Sequence, residues 1–463
     1  MKDTNTSVKY SCWKTIFFIF AAAVLLLAFS GCFSPWEGEG TLTIDLGGGD
    51  LSRVAVNSGE IANFEYEIIL EGPGGKIKKT IKGGGTITLE LAPGIWDLML
   101  RAIGDRPDDD GMDYFPSLYF PPRMLRALGY NNAVDVKAGK NTNVTLQMTA
   151  ATEISNEDQF IMANTGLSDK PEILVIKESM EFEADFMWYG KVLTLITDNT
   201  DREITLTFTS SSNIIFGLTN GGTPPYQGSA LTLGRPGMKG SLIIDGGGKE
   251  HPRPGPIVNV DFDCTLIMYD GVTLRNSFNN DPNGPHPGGG VYVGNGGTFI
   301  MHGGEISGNW AQPDSGNMNG GLGGGVYVDG TFEMHGNSKV AGNYAIAGAT
   351  NNGNGGGVFV EYNAMFIMSG GEISGNTADG SNSSGSIEGH GGGVYISGGK
   401  HFEKTGGVIY GNDGGEKSNY VTNRGEAVYC FDSTPAVGSR YRSRNVWDNI
   451  SYIGGNYSGT WEE

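Results

Sequence analysis

Five aspartates lie within one short stretch of the chain, and clustered carboxylates are the side chains that calcium prefers: Asp105, Asp108, Asp109, Asp110 and Asp113. Ca²⁺ takes roughly six to eight oxygen ligands, and Gly111 within the stretch allows a sharp turn. The spacing differs from that of an EF-hand loop, and the glutamate that closes such a loop has no counterpart here. The sequence therefore leaves open either a calcium site or a solvated acidic loop, and it indicates no other cofactor.

A second candidate site is a column of aromatic residues. The motif Gly-Val-Tyr-Val places both valines, such as Val291 and Val293, on one face of a strand and the ring on the other. With the valines inward, one ring per repeat points outward, at Tyr292, Tyr327, Phe359, Tyr395 and Tyr429. Because amphipathic rings are favoured at recognition surfaces, this column is predicted to contact sugar rings or an apolar partner surface. Alternatively, the rings only stabilise the sheet, or the register is reversed and they belong to the core.

The acidic residues of the same region do not predict catalysis. Four of them recur at equivalent repeat positions or stand singly: Glu305, Asp329, Glu333 and Glu372. Glycoside hydrolysis needs a pair of carboxylates flanking one bond at a defined separation. We therefore expect a solvated acidic face and a protein that is not an enzyme.

The element that must position these residues is a repeat. Triple glycines begin at Gly288, Gly323, Gly355 and Gly391, so the period is 32 to 36 residues (288 to 323, 323 to 355, 355 to 391). Each is followed by short runs of Val, Ile, Phe and Tyr separated by Gly or Asn, which is typical of strands stacked in a solenoid. A helical solenoid is excluded because each glycine costs a helix about 1 kcal/mol. The variable segments 310–322, 344–354 and 377–390 are predicted to be loops on one edge of the stack.

Three columns of this repeat are predicted to be structural. The first two should stack inside the coils: Phe299, Phe332, Phe366 and Phe402, and Ile306, Val340, Ile373 and Ile409. The third should lie at one turn of each coil: Asn309, Asn343, Asn376 and Asn412. Asparagine tolerates left-handed backbone and can hydrogen-bond between layers.

The repeat resembles the glycine-rich units of the polymorphic outer-membrane protein repeat and its relatives among pectin-lyase-like surface proteins. The resemblance covers roughly residues 260–430. It implies a right-handed parallel β-helix and an adhesin-like or structural display role, with a glycan or a host or cell-surface protein as partner. The fold class is thus expected to be all-β, with the β-helix over residues 151–463 and its clear repeats over 260–430.

The pectin-lyase-like resemblance also implies an alternative function, that of a polysaccharide lyase or glycoside hydrolase. The tripeptide Gly389-His390-Gly391 matches one polygalacturonase-like motif, and Asn199-Thr200-Asp201 matches part of another. The paired-aspartate and Arg-Ile-Lys motifs of that family do not occur in the repeat region. Since a fold alone does not imply an activity, the non-catalytic reading is preferred.

The N-terminus predicts export and anchoring. Lysines precede an apolar stretch over residues 16–29, which ends in Ser30-Gly31-Cys32. A charged region, an apolar core and small residues before a cut are typical of a signal peptide, here residues 1–31. The small residues before Cys32 resemble a lipobox, which implies lipidation of Cys32, a tether over 32–40 and a membrane-anchored lipoprotein of the bacterial cell envelope, at the outer membrane or cell surface. The alternatives are an ordinary signal peptide or an uncleaved anchor.

Residues 41–150 predict a separate small β-sandwich. Alternating strands are separated by Gly-Gly and Pro-Gly turns. The hairpin around Pro93, Gly94 and Trp96 is similar to those of Ig-like and transthyretin-like domains. We expect a spacer that lifts the β-helix from the membrane.

Composition restricts the partners. The 77 glycines among 463 residues and the 38% hydrophobic content suit a repetitive β protein with a core. The net charge of −20 argues against binding to nucleic acid or to anionic lipid surfaces. Cys264 and Cys430 fall about five repeats apart, which at ~4.8 Å per layer exceeds the reach of a disulfide, so both are expected to be free thiols.

Overall fold

The computed structural model describes residues 39–46, 63–106, 118–167, 170–197, 202–210, 214–221, 227–280, 286–313, 320–381, 388–398, 402–411, 415–422, 427–431 and 456–457. The structure is nearly all β, with 56% strand and 4% helix. Contacts divide the described residues into two compact units. The first contains residues 61–100 and 129–148 and the strand after residue 39, and the second contains residues 101–128 and those from 149 onward.

Short amphipathic strands build the first unit, and two of them continue into the second. The strands are Gly40–Asp45, Glu65–Gly72, Gly75–Lys82, Thr86–Leu91, Gly94–Asp105, Arg123–Val136 and Asn141–Thr145. Gly40–Asp45 lies between Thr86–Leu91, which is antiparallel to it, and Asn141–Thr145, which is parallel. Glu65–Gly72 forms an antiparallel hairpin with Gly75–Lys82. These two sets of strands are compatible with the predicted sandwich.

The core of the first unit follows from strand alternation. Leu42 and Ile44 are fully buried on one face of their strand, as a period of two requires. Trp96 of the Pro-Gly hairpin is also fully buried, and its indole N–H donates a 2.8 Å hydrogen bond to the carbonyl of Ala92. A side chain at Gly72 would overlap the indole ring, so that position needs glycine.

The second unit is a parallel β-solenoid whose strands stack in register from coil to coil. Column A contains Thr149–Ile154, Glu172–Ile176, Val192–Thr197, Ala230–Leu233, Thr265–Met268, Thr298–Met301, Thr331–Met334 and the first parts of Met365–Ser374 and Phe402–Ile409. Column B contains Met180–Phe182, Glu203–Phe208, Ser241–Asp245, Val272–Arg275, Glu305–Ser307, Lys339–Ala341 and the last parts of the same two long strands. Column E contains Phe186–Tyr189, Phe216–Thr219, Val258–Val260, Val291–Val293, Val326–Val328, Val358–Val360, Val394–Ile396 and Val428–Cys430. The Gly-Val-Tyr-Val motif and its close variants supply the last five of these strands. Asn456–Tyr457 pairs antiparallel with the last of these strands.

Two further columns lie mostly in the segments predicted to be loops, and this prediction was wrong in part. Column C stacks Phe278–Asn279, Trp310–Ala311, Tyr344–Ile346, Thr377–Asp379 and Tyr420–Val421. Column D stacks His286–Pro287, Gly321–Leu322, Gly353–Asn354 and Gly389–His390. Small buried side chains at Ala311, Ala345 and Ala378 let the chain pass close to the core there. The variable segments are therefore part of the coil at both of their ends.

The predicted inward columns are confirmed. The rings of Phe299, Phe332, Phe366 and Phe402 stack with successive centroid distances of 4.8, 5.0 and 5.2 Å. Ile306, Val340, Ile373 and Ile409 are fully buried in register beside them. A third inward column, not predicted, consists of Met268, Met301, Met334 and Met368.

Each glycine of the triple-glycine motif has its own steric reason. The first glycine of every motif is left-handed, with φ near 65° as at Gly323 (φ 67°). A Cβ on the second, Gly324, would lie 2.5 Å from backbone atoms of Tyr344 in column C. A Cβ on the third, Gly325, would lie 3.0 Å from Nδ2 of Asn343. The motif therefore lets the chain turn tightly against the asparagine column.

The asparagine column is confirmed in three coils and corrected in the fourth. Asn309, Asn343 and Asn376 are fully buried and hydrogen-bond from coil to coil. The next member is Asn419, whose Oδ1 accepts from the backbone N–H of Asn376 at 2.8 Å; the predicted Asn412 lies outside the described residues. The left-handed residue of this turn is the preceding glycine, as at Gly308, Gly342 and Gly375, and not the asparagine itself.

A short helix lies at the start of the solenoid, and sequence analysis did not predict it. This helix, α1, spans Glu157–Thr165, and the side chain of Asn156 caps it by accepting from the N–H of Gln159 at 2.9 Å. Phe160 packs edge-on against Phe182 and Phe186 of the first coil, with centroid distances of 5.0 and 4.7 Å. A helix covering the apolar end of the first coil is the capping that a solenoid requires.

Candidate functional site

The predicted aromatic column exists on the face of column E opposite to the valines. Val291 and Val293 are fully buried, so the register is the one in which the valines point inward. The five rings stack in order along the solenoid axis, with centroid distances of 5.3, 5.2, 5.0 and 5.4 Å from Tyr292 through Tyr327, Phe359 and Tyr395 to Tyr429. The first three pairs are within 7° of parallel.

The prediction of an open outward strip was wrong for most of this column. Phe359, Tyr395 and Tyr429 are only 4, 7 and 9% exposed, whereas Tyr292 and Tyr327 are half-buried. Stacked rings cover each other's faces, so an interior ring of the column presents an edge and not a face. Leu322 of column D packs against the rings, and the imidazole of His390 lies 4.5 Å from the ring of Tyr429. The accessible part of the aromatic column is therefore the edge at Tyr292 and Tyr327.

Acidic side chains flank this accessible edge. The hydroxyl of Tyr327 donates a 3.0 Å hydrogen bond to Oε2 of Glu361 in the next coil. Burial raises the pKa of Tyr327, and the neighbouring charge of Glu361 raises it further. Burial also raises the pKa of Asp329 above its ordinary range, again with a contribution from Glu361. The site thus combines half-buried phenols with the carboxyl groups of Asp329 and Glu361, and the charge of Glu361 adds to the effect of burial on Asp329.

Column C carries a second series of rings that sequence analysis missed. Trp310 and Tyr344 stack at a centroid distance of 4.0 Å, and Phe278 lies 6.1 Å from Trp310 on the other side. The ammonium of Lys249 lies 3.7 Å from the centre of the Trp310 ring, which is cation–π geometry. The sequence does hold a signal for these rings, because Trp310 and Tyr344 each directly follow a column asparagine.

The remaining predicted site residues are not brought together. Cys32 and four of the aspartates, Asp108, Asp109, Asp110 and Asp113, lie outside the described residues. Asp105 is described, and its carboxylate lies 3.5 Å from the guanidinium of Arg123. In the described part of the chain, no three His, Cys, Asp or Glu side chains are grouped so that they could hold a metal ion.

Two of the four acids weighed for catalysis contact basic side chains. Oε2 of Glu372 lies 2.6 Å from the ammonium of Lys417, and Glu333 lies 3.1 Å from Nε2 of His335. Although burial opposes it, the hydrogen bond from Lys417 lowers the pKa of Glu372. His390 of the Gly-His-Gly tripeptide is buried, and its Nε2 lies 3.0 Å from Glu388.

The two described cysteines, Cys264 and Cys430, are buried and are not joined in a disulfide, as predicted. Burial raises the pKa of the Cys264 thiol to about 11. Cys430 takes the inward position held by Val293 in an earlier coil, so it acts as a small core residue.

Comparison of the chain with family models, with curated proteins and with solved structures finds no match. None of the helices among the described residues has the length and apolar character needed to span a membrane.

Proposed function

We propose that this protein is a non-catalytic binding or display element, held at the bacterial cell surface by lipid on Cys32. The observation that carries the proposal is that the two sides of column E differ, one being core and the other partly accessible. Its inward valines belong to a core that repeats from coil to coil. Its outward rings form the aromatic column, of which the edge at Tyr292 and Tyr327 is accessible. Amphipathic rings of this kind are favoured at recognition surfaces.

The internal columns support a display role. The phenylalanine and asparagine columns stack without interruption over adjacent coils. Because each coil contacts mainly its neighbours, such a stack forms a stiff rod whose outer residues vary independently of its core. The expected partner is a glycan or a cell-surface protein.

The test compares two outer faces of the same rod. Tyr292→Ser with Tyr327→Ser removes the accessible edge, and Ile267→Ser with Ile300→Ser is the matched control. Those isoleucines are also half-buried, face outward from column A, and occupy adjacent coils. Adhesion of protein-coated beads to cells and to a glycan array should fall only for the tyrosine variant, while both variants keep the wild-type far-UV spectrum. Unchanged adhesion by a folded tyrosine variant would remove the aromatic edge as the recognition surface.

A second candidate function is glycoside hydrolysis, with Asp329 and Glu361 as the candidate pair of acids. They directly follow the paired residues Val328 and Val360, so they occupy the same position in adjacent coils, and burial raises the pKa of Asp329. Glycoside hydrolysis needs two carboxyl groups that flank one bond. Release of reducing sugar from a polysaccharide panel, lost in Asp329→Asn, would establish this enzyme and contradict the non-catalytic proposal.

A further inference from the structure

Four exposed aromatic side chains lie within two residues of the end of a column E strand. We call this set the corner ridge: Tyr189, Phe262, Tyr362 and Phe431. It contains four of the eight exposed large hydrophobic side chains among the described residues. Single exposed hydrophobic residues are normal, but aromatic side chains are enriched at interaction surfaces, so their recurrence after column E is informative.

Two members of the corner ridge occupy the same place in the same kind of turn. The turn that contains Phe262 is closed by a 3.1 Å bond from the N–H of Cys264 to the carbonyl of Asp261. The turn that contains Tyr362 is closed by the equivalent backbone hydrogen bond, which is also 3.1 Å long and is accepted by the carbonyl of Glu361. In both turns a carboxylate residue directly precedes the ring. The corners at 294–297 and 329–330 lie between them, so the two rings are three coils apart, or about 14 Å.

The rings of the corner ridge expose a face to solvent, whereas the interior rings of the aromatic column expose only an edge. Phe262 is 63% exposed and Tyr362 is 56% exposed. The ring of Phe262 lies across Gly296 of the next coil, since a Cβ there would come within 2.4 Å of a ring carbon. One face of that ring therefore rests on backbone, which leaves the other for a ligand.

The charges at the successive corners from Phe262 to Tyr362 are of one sign. Residues 259–265, 292–298, 327–331 and 359–365 contain four carboxylates and no Lys, Arg or His. Burial raises the pKa of Tyr292, and the charges of Asp329, Asp261 and Glu361 raise it further. Three carboxylates from different coils therefore lie close enough to affect one phenol. An aromatic face beside a carboxylate is the surface that attracts a guanidinium or ammonium group. Charge complementarity thus selects a cationic ligand.

We propose that the corner ridge binds an extended basic polypeptide segment, with cationic side chains over Phe262 and Tyr362 and paired with Asp261 and Glu361. The proposal goes beyond the binding role of the aromatic edge at Tyr292 and Tyr327, because it names a second surface and the class of ligand for it. An extended chain rises ~3.3 Å per residue, so residues four apart lie on the same side about 13 Å apart, close to the separation of the two rings. The residue midway between them falls near Asp329. The favoured ligand therefore has basic residues at alternate positions.

The test uses two synthetic peptides of equal charge. One alternates arginine with serine over six residues, and the other has its three arginines contiguous. Fluorescence anisotropy near physiological salt should show the wild-type chain binding the alternating peptide at least tenfold more tightly, about 1.4 kcal/mol. Equal affinity for both peptides, or tighter binding of a glucosamine oligomer, would overturn the assignment.

Matched variants separate specific binding from general attraction to an acidic protein. Phe262→Ser with Tyr362→Ser leaves the net charge unchanged, and both positions are exposed, so the fold should persist and the preference for the alternating peptide should disappear. Glu181→Gln with Glu203→Gln, at exposed positions on column B, should leave the preference intact. Unchanged binding by the folded ring variant would refute this inference. If adhesion to cells still depends on Tyr292 and Tyr327 in that case, the proposed function stands without it.

Discussion

Replacing Asn343 by alanine should be one of the most damaging single changes in the solenoid. Its Oδ1 accepts from the backbone N–H of Asn309 at 3.1 Å and from Nδ2 of Asn309 at 3.0 Å. Its Nδ2 donates to the carbonyl of Ile306 at 2.9 Å and to Oδ1 of Asn376 at 3.0 Å. All three asparagines are fully buried, so water cannot replace these partners without the coils opening.

The magnitude follows from the groups left without partners. In the alanine variant the N–H of Asn309 loses its acceptor, whereas the carbonyl of Ile306 loses the amide donor but keeps its backbone bond in the parallel ladder. One unsatisfied buried group costs about 1–3 kcal/mol, and the lost hydrogen bonds add to this, so the free energy of unfolding should fall by roughly 2–4 kcal/mol. Nδ2 of Asn309 and Oδ1 of Asn376 keep other partners and add little.

Urea denaturation followed by far-UV circular dichroism measures this loss. The control is Asn295→Ala, at an exposed corner of the solenoid, which should change the free energy of unfolding by less than ~0.5 kcal/mol. A loss below about 1 kcal/mol for Asn343→Ala, with unchanged dependence on urea, would refute the claim that the asparagine column holds the coils together.

Three other predictions follow from the same contacts. Gly324→Ala should destabilise the protein by more than about 3 kcal/mol, since the new methyl would meet the backbone of Tyr344. Gly342→Ala should cost only about 1 kcal/mol, because that position has open space and only its φ of 63° is unfavourable. Similar losses for the two variants in denaturant melts would contradict the steric explanation. Cys264 should resist iodoacetamide at pH 8 in the folded protein and react in urea, as mass spectrometry would show, because burial holds its pKa near 11. Asp329→Asn should raise the free energy of unfolding at pH 7 by ~0.5 kcal/mol. Because the pKa of Asp329 is raised in the folded state, that state keeps the proton to higher pH than the unfolded state does. The ionised carboxylate therefore lowers the free energy of unfolding above the folded pKa, and the stability gained by Asp329→Asn should vanish below the ordinary pKa of 3.8. An equal gain at pH 3 and pH 7 would exclude this cause.

The periodic part of the fold was predictable because identical spacing forces identical packing. The phenylalanine column and the inward valines follow from strand alternation within a fixed repeat, and the structure places both where expected. The fourth asparagine was misassigned because the chain takes ten residues from Ile409 to Asn419, whereas Asn343 follows Val340 by three. Spacing alone does not reveal such an insertion.

The candidate site was less predictable, for two physical reasons. Alternation shows which face of a strand a ring occupies, but not what packs over it, and so the cover that Leu322 contributes was missed. Columns C and D consist mostly of strands of two or three residues inside segments that do not repeat, and such strands are too short to show a period. Trp310 therefore escaped notice although it follows a column asparagine.

The measurement that tests the central claim most directly is the mass of the mature N-terminus in protein extracted from the membrane of the producing cell. The proposed binding role depends on anchoring of the protein at the cell surface by lipid on Cys32. Mass spectrometry should find a chain that begins at Cys32 and carries acyl groups on it. A mature chain that retains residues from 1–31, or that begins at an unmodified Cys32, would contradict the account.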